Sequence, residues 1–333
     1  MKQIFRKSLL FRYFLFIVFS TSAQQKPQYT QYLLNQQLLN PAVTGIENYI
    51  EAKAAYRSQW TGLDGAPVTS YLSLSAPIGR EFINTPGPTG SNPYSRYYPE
   101  TYQASPAHHG IGLQLLSDQA GPYTTTDIAA SYAYHLGLSQ TWNLALGLQA
   151  GFQNFNLDPA KLSLTDPGDP AFLNAAGNHW RPAIGAGLWA YSPTTFIGLS
   201  AQQLLPAQAG NGTAATPAGT VNWFLTAGLK CLITDDLALI PSAMLKVIRP
   251  LPPSVDLSLK AAFGNRFWIG ASYRDRDGLA GLAGLNISPL LNIAYAYDYN
   301  TSALRNVNTG SHEIVLTLLL NNRNRVLCPE HTF

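Results

Sequence analysis

The stretch TWNLALGLQAGFQ, residues 141–153, alternates between two kinds of side chain. Its even-numbered positions carry Trp, Leu, Leu, Leu, Ala and Phe, whereas the odd-numbered positions from 143 onward carry Asn, Ala, Gly, Gln, Gly and Gln. Successive side chains of a β-strand point to opposite faces of the sheet, so a period of two predicts a strand. One face of this strand is wide and apolar, and the other is small and uncharged. The fold depends on which solvent meets each face.

The same alternation recurs in about fourteen segments, most of them about 9–13 residues long, which is the length that a tilted strand needs to cross a bilayer. Charged residues in these segments fall almost only on the small-residue side, and aromatic residues gather toward the segment ends. The wide face is therefore nearly free of charge, as contact with lipid requires. Clear examples are residues 48–60, 126–138, 221–233, 254–264 and 291–300.

A soluble antiparallel sandwich with one wet face is the alternative that has the same period. Strands of soluble proteins are usually about five or six residues long, which is shorter than these segments. Charged residues make up only 12% of the chain, about half of the share that is typical of globular proteins. A sheet in lipid must also close on itself, because every backbone group there needs a partner. These features favour an all-β fold, a transmembrane antiparallel up-and-down β-barrel of about 14 strands.

The first residues have a basic start, an apolar run broken only by Arg12, and a Thr-Ser-Ala ending. That pattern is typical of a secretory signal peptide with cleavage near Ala23. We therefore expect an exported protein of the Gram-negative cell outer membrane. The expected division of the chain is a signal peptide at 1–23, a periplasmic N-terminal segment at 24–46, a barrel at 47–320 with a periplasmic insertion at 80–109, and a C-terminal tail at 321–333.

Connection lengths predict the orientation of this barrel. In exported barrels both termini are periplasmic, with short turns on that side and longer loops outside. Every second connection is short, as in GLSQT, TDD, GNR and SPL, so these turns are expected in the periplasm. The same parity places residues 80–109 in the periplasm although this connection is long. Its Pro, Tyr and Ser content predicts a flexible loop.

Asp127, Ser131 and His135 share one face of one strand and have the composition of a catalytic triad. Four residues of strand span roughly 13 Å, whereas a proton relay needs hydrogen-bond contact, so a packed network in the lumen is the better interpretation. The sequence contains no HExxH, CxxC, P-loop or GxSxG motif. We therefore expect no enzyme, no metal site and no cofactor. A net charge of +3, without a basic run interleaved with aromatics, gives no indication of nucleic-acid binding.

Several motifs occur in order along nearly the whole mature chain. They are PQYTQYLLN, LNPAVTG, YRSQW and GLDGAP near its start, and LLSDQAGPYTTTDIAASYAYHL, FWIGASYR and YDYNTSALRNVNTGSHEI further on. Together these motifs resemble the PorP/SprF family of type IX secretion system outer-membrane proteins. The chain departs from the family pattern in the length of 80–109 and in the tail NNRNRVLCPEHTF that follows the last expected strand.

The resemblance implies a non-enzymatic accessory barrel of the type IX secretion and gliding motility machinery. Such a barrel supports the export or surface attachment of specific client proteins. The implied partners are outer-membrane lipid, periplasmic peptidoglycan-linked secretion components, and a secreted client such as an adhesin with a C-terminal sorting domain. A passive porin or small-molecule transporter of the outer membrane is the competing function.

The family motifs supply candidate residues for contact with a partner. For those that precede the first strand, packing in or under the barrel mouth is the alternative. GLDGAP has the composition of a hairpin loop, and Trp60 suits an interfacial aromatic girdle. The candidates are Gln28, Tyr29, Gln31, Tyr32, Asn40, Pro41, Gly45, Arg57, Trp60, Gly65 and Pro67.

A second set of candidates consists of charged residues on the lumen side of the strands. Both signs occur, which favours charge pairing across the lumen over a selectivity ring of one sign. The first and last strands must be neighbours in a closed sheet, which brings Lys53 and Arg57 toward Glu313. With segment 24–46 at the mouth, we expect a lumen that is occluded by side chains or by that segment. The predicted lumen charges are Glu51, Lys53, Arg57, Asp256, Lys260, Arg266, Arg274, Asp298 and Glu313.

Overall fold

The structure is a computed structural model that describes residues 35–84, 92–162, 177–205, 220–275, 278–301, 308–323 and 327. The described residues form fourteen antiparallel strands. Each strand pairs with its neighbours along the chain, and the last strand pairs with the first, so the sheet closes into a barrel. The strands are β1 (Ile50–Ser58), β2 (Val68–Ile78), β3 (His108–Ala120), β4 (Tyr123–Gly137), β5 (Asn143–Leu157), β6 (Gly177–Tyr191), β7 (Thr195–Gln202), β8 (Asn222–Leu229, continued by Cys231–Leu232), β9 (Leu237–Ile248), β10 (Ser254–Phe263), β11 (Phe267–Arg274), β12 (Gly278–Asn286), β13 (Leu291–Asn300) and β14 (Ser311–Leu320).

The outer surface of the barrel carries the apolar side chains that the alternation predicted. Leu148 on β5 is 62% exposed, and Leu146 and Phe152 on the same strand are also exposed. Ala145, on the opposite parity of β5, is fully buried inside the barrel. A continuous apolar exterior is the reverse of a soluble protein and matches the lipid-facing band of a membrane barrel. The predicted fold class is confirmed.

The two ends of the barrel differ in their connections. We call the end where Ile50 pairs with Leu320 the near end, and the opposite end the far end. Five near-end connections are short, at 138–142, 192–194, 233–236, 264–266 and 287–290. The exception is the connection at 79–107, which also lies at the near end. The first strand therefore begins, and the last strand ends, at the end that carries most of the tight turns.

Helical structure in the described residues is limited to short turns. The longest helix is α1 (Arg80–Asn84), and α2 (Tyr98–Thr101) follows in the same connection. Single 3-10 turns occur at Gln36–Leu38, Pro41–Val43 and Pro159–Lys161. None of the helices in the described ranges is long and apolar enough to cross a membrane.

The connection between β2 and β3 folds into the near-end mouth of the barrel. We call its described residues, 79–84 and 92–107, the near-end cap. Phe82, Tyr94, Tyr98 and Tyr102 of the cap are buried, and Asn143 of β5 donates a 2.8 Å hydrogen bond to the Tyr102 hydroxyl. The expectation of a flexible loop is therefore wrong for these residues. Aromatic side chains can bury a large apolar area here because the lumen offers them a packed wall.

Candidate functional site

Residues 35–47 run through the lumen and fill its middle. We call them the lumenal plug. Every residue from Asn35 to Glu47 is buried. The turn at Pro41–Val43 begins where the Asn40 side chain accepts a 3.0 Å hydrogen bond from the Ala42 backbone N–H, with proline in the first position of the turn. The sequence placed segment 24–46 on the periplasmic side, whereas its described part lies inside the barrel.

Side chains of the barrel wall bind the backbone of the first half of the plug. The Ser200 hydroxyl donates to the Leu39 carbonyl at 2.7 Å, and the Gln202 amide donates to the Leu38 carbonyl at 2.7 Å. In the reverse direction, the plug amides of Asn35, Gln37 and Asn40 donate to Ser73 Oγ and to the carbonyls of Leu74 and Leu188. Buried backbone groups that cannot reach water need such partners, so these bonds define one path for the segment.

The second half of the plug is held by two of the three residues that had the composition of a triad, Ser131 and His135. Thr44 Oγ1 lies 2.9 Å from Ser131 Oγ, and the Thr44 carbonyl accepts a 2.8 Å hydrogen bond from His135 Nε2. The His135 ring stacks on His108 with 4.5 Å between centroids, and His108 stacks on Phe82 of the cap at 3.6 Å. Ser131 and His135 thus bind the plug, and the stacked rings connect it to the cap.

The lumen-facing side of β5 and its neighbours carries small residues because the plug lies against it. A Cβ atom added at Gly147 would collide with the Ala42 backbone nitrogen, and one added at Gly187 would collide with the Asn40 side chain. A Cβ at Gly110 would meet the Thr44 carbonyl in the same way. These lumen-facing glycines form a cradle that lets the plug backbone approach the sheet closely.

We expect Gly147→Ala to displace the plug, because its new methyl group meets backbone that cannot rotate away. The expected loss in the free energy of unfolding is about 1–3 kcal/mol, as for other overpacked sites. Limited proteolysis of the purified barrel should then cut within residues 35–47. Gly281→Ala is the matched control, since a Cβ there has nothing within 4 Å. Equal protection of the plug in both variants would contradict the cradle.

Charged residues inside the barrel form pairs at the seam between the last and first strands. Arg57 lies 2.6 Å from Asp298 and 3.1 Å from Glu313, and all three side chains are buried. Glu51 pairs with Lys53 at 2.6 Å on the same strand. Across the barrel, Asp256 lies 3.3 Å from Arg274, and Lys260 lies 4.9 Å from the Trp268 ring centroid. Eight of the nine predicted lumen charges therefore face the lumen.

Arg266 is the exception among the predicted lumen charges. It lies in the exposed turn between β10 and β11, and its carbonyl accepts a 2.7 Å hydrogen bond from the Asn286 backbone N–H. The turn begins at Gly264, which has a positive φ of 55°, and β11 begins only at Phe267. The alternation predicted from the sequence included Arg266 in β11, one residue before that strand begins. The assignment of Arg266 to the lumen is therefore wrong.

The partner-contact candidates fall into three places. Asn40, Pro41 and Gly45 belong to the plug, and their contacts are internal. Trp60, Gly65 and Pro67 lie in the far-end connection of β1 and β2, where Gly121 donates a 2.9 Å hydrogen bond to the Gly65 carbonyl. Arg57 is in the seam. Gln28, Tyr29, Gln31 and Tyr32 lie outside the described residues.

A cavity opens above the plug toward the far end, and we call it the far-end cup. Leu38 and Leu39 of the plug line it together with Phe224 and Met244. Sequence reasoning missed both the cup and the cap. Glycines on the polar parity of β5 and β6 were the available signal that backbone approaches this wall.

A closed barrel with an apolar exterior, a buried N-terminal plug and paired lumen charges is an outer-membrane protein whose lumen is filled. The family described as type IX secretion system membrane protein PorP/SprF matches residues 21–318. The chain belongs to the PorP/SprF family, and the resemblance of its motifs is confirmed. It matches no curated protein.

Among solved structures, the chain is similar to several outer-membrane proteins. The CymD monoaromatic hydrocarbon channel is 15% identical, with 87% of this chain and 91% of that chain covered and a TM-score of 0.45. The Ralstonia pickettii toluene transporter TbuX is 12% identical, with coverages of 86% and 92% and a TM-score of 0.47. Acinetobacter baumannii Omp33 is 8% identical, with coverages of 83% and 100% and a TM-score of 0.47.

Proposed function

We propose that this protein is a non-conducting, non-enzymatic accessory barrel of type IX secretion that supports the export or surface attachment of specific client proteins. Membership of the PorP/SprF family over residues 21–318 is the observation that carries the proposal. The proposed clients are adhesins with C-terminal sorting domains. The proposed partners at the near end are peptidoglycan-linked secretion components of the periplasm, and the proposed mature chain begins after Ala23.

The filled lumen supports this role over that of a passive porin. The plug is hydrogen-bonded to the wall on several strands, and the cap packs into the near-end mouth. Large aqueous barrels conduct because their lumen is left open. A lumen that contains the plug and the cap suits a protein that acts by binding partners on its surfaces and not by passing solutes through a pore.

Deletion of the gene should remove one or a few proteins from the cell surface or the medium and leave most export intact. Quantitative proteomics of the surface and medium fractions measures this directly. The control is a strain that is complemented with the wild-type gene. An unchanged set of exported proteins, under conditions where the barrel is present in the outer membrane, would contradict the proposed function.

The proposed orientation places the cap in the periplasm and the far end outside. In a chain with both cysteines, Cys231 and Cys328, replaced by serine, Tyr97→Cys should resist a membrane-impermeant maleimide on whole cells. Tyr97 is 59% exposed, so its protection would come from the membrane rather than from burial. The matched control is Asp64→Cys in the exposed far-end turn, which should be labelled. The opposite pattern would reverse the orientation.

A further inference from the structure

Three rings are stacked at the near end of the barrel, and we call Phe82, His108 and His135 the ring column. Phe82 belongs to α1 of the cap, whereas His108 and His135 belong to β3 and β4. The ring centroids of Phe82 and His108 lie 3.6 Å apart with 7° between the planes, and the two histidine centroids lie 4.5 Å apart with 3° between the planes. All three side chains are buried. The column therefore reaches from the cap into the lumen.

The two histidines of the column also contact the plug backbone. The Thr44 carbonyl accepts the 2.8 Å hydrogen bond from His135, and the Gly45 carbonyl lies 3.2 Å from His108 Nε2. At the other ring nitrogen, His108 Nδ1 lies 2.8 Å from the Pro106 carbonyl of the cap. The same buried rings thus serve the cap and the plug, and a buried carbonyl that loses its donor costs free energy.

α1 reaches the column through one side chain and is held separately from the rest of the cap. Among the described side chains of α1, Phe82 is buried and Glu81 is exposed. The later part of the cap, residues 92–107, has its own contacts with the wall, such as the Tyr94 ring, whose centroid lies 5.3 Å from Lys230 Nζ. We therefore expect that α1 can leave the mouth while residues 92–107 stay in place.

The two halves of the plug have different partners. Residues 35–41 are bound by other strands, as where Ser200 of β7 donates to the Leu39 carbonyl at 2.7 Å. Residues 42–47 contain the two carbonyls that meet the ring column. Segments that share buried contacts open as one cooperative unit, and segments that do not share them open separately. The second half of the plug, but not the first, should therefore open together with α1.

We propose that docking of α1 holds the second half of the plug in place through the ring column. Displacement of α1 lets the histidine rings turn, and residues 42–47 then leave the wall while residues 35–41 stay bound. A near-end partner that draws α1 out of the mouth would release this half of the plug. That last step rests on the proposed function, whereas the coupling between α1 and the plug does not.

Hydrogen exchange of the intact mature protein in detergent, read at single amides by mass spectrometry, tests the coupling. In Phe82→Ala the amides of residues 45–46 should exchange at least about tenfold faster than in the wild type, because a buried ring is lost. The amides of residues 39–40 should exchange as in the wild type. All four amides are hydrogen-bonded in the structure. Tyr97→Ala is the matched control, since it removes a ring of the same cap that is 59% exposed, and it should change none of them.

A milder variant and a reverse measurement support the test. Phe82→Leu keeps an apolar side chain but loses the stacking, so exchange at residues 45–46 should rise about threefold. Coupling between two segments acts in both directions. In a barrel that lacks residues 24–46, the Ile83 amide of α1, which donates to the Gly79 carbonyl at 3.0 Å, should exchange about tenfold faster. Heat-modifiable migration on gels shows that each barrel has closed.

Three results would overturn the coupling. The first is unchanged exchange at residues 45–46 in both Phe82 variants. The second is equal acceleration at residues 39–40, which would mean that the plug opens as a whole. The third is the same acceleration in Tyr97→Ala. The purified barrel is measured without a partner, so exchange decides the coupling alone, whereas the exported proteins of the gene deletion decide the proposed function.

Discussion

Removal of residues 24–46 should convert a nearly silent protein into one that opens steady conductance steps in a planar bilayer. In the intact barrel the described part of this segment is fully buried and crosses the lumen from the β7 wall to the β3 wall. Its loss leaves a gap lined by the glycine cradle, through which water and ions can pass. We expect the mean current to rise about tenfold, because barrels of this size conduct once the lumen is open.

The near-end cap provides the internal comparison for this experiment. Tyr94 and Tyr98 of the cap occupy the near-end mouth, so deletion of the plug alone should open the barrel only in part. Additional removal of residues 85–104 should raise the current further. Heat-modifiable migration of each variant shows that the barrel has closed. Large, stable, ion-selective steps from the intact mature protein would defeat the closed lumen and support the porin alternative.

Replacement of Arg57 by methionine should cause the second large effect, a loss of about 3–5 kcal/mol in the free energy of unfolding. The change removes the cation that lies within 2.6 Å of Asp298 and 3.1 Å of Glu313. Asp298 on β13 and Glu313 on β14 then stay buried inside the barrel without their arginine. Urea unfolding in detergent, followed by heat-modifiable migration, measures the change.

Two further variants test whether the loss of stability comes from the buried ion pairs of Arg57. Arg96→Met breaks an exposed pair with Asp235, whose side chain is 59% exposed, and should cost at most about 1 kcal/mol. The triple change Arg57→Met, Asp298→Asn and Glu313→Gln removes the buried charges together and should recover part of the lost stability. A single Arg57→Met variant as stable as Arg96→Met would contradict the seam cluster.

The exterior of the barrel was predictable because lipid contacts the outer face of every strand. Lipid imposes an apolar parity on every strand, so Leu146 and Leu148 could be assigned from alternation alone. Pairing of Arg57 with Glu313 was also predictable, since closure makes the first and last strands neighbours. Arg266 was assigned wrongly because parity does not show where a strand ends and a turn begins.

The interior was harder to predict because its side chains contact other segments of the same chain and not one uniform environment. Small residues at Gly147 and Gly187 fit a water-filled channel as well as a buried segment, and only the contacts with Ala42 and Asn40 decide between them. Tyr94 and Tyr98 lie in a connection with a loop-like composition. Their burial depends on the space left beside the plug, which no local pattern records.

The contact between the glycine cradle and the plug has an evolutionary consequence. Gly110 and Gly45 approach so closely that a Cβ on either would overlap the other's backbone, so neither position can change alone while this path is kept. Among relatives, a larger residue at the position of Gly147 or Gly110 should occur together with insertions, deletions or substitutions between positions 40 and 46. An alignment of the family is expected to show these two distant stretches varying jointly, so that the beginning of the chain and the wall of the barrel are inherited as one unit.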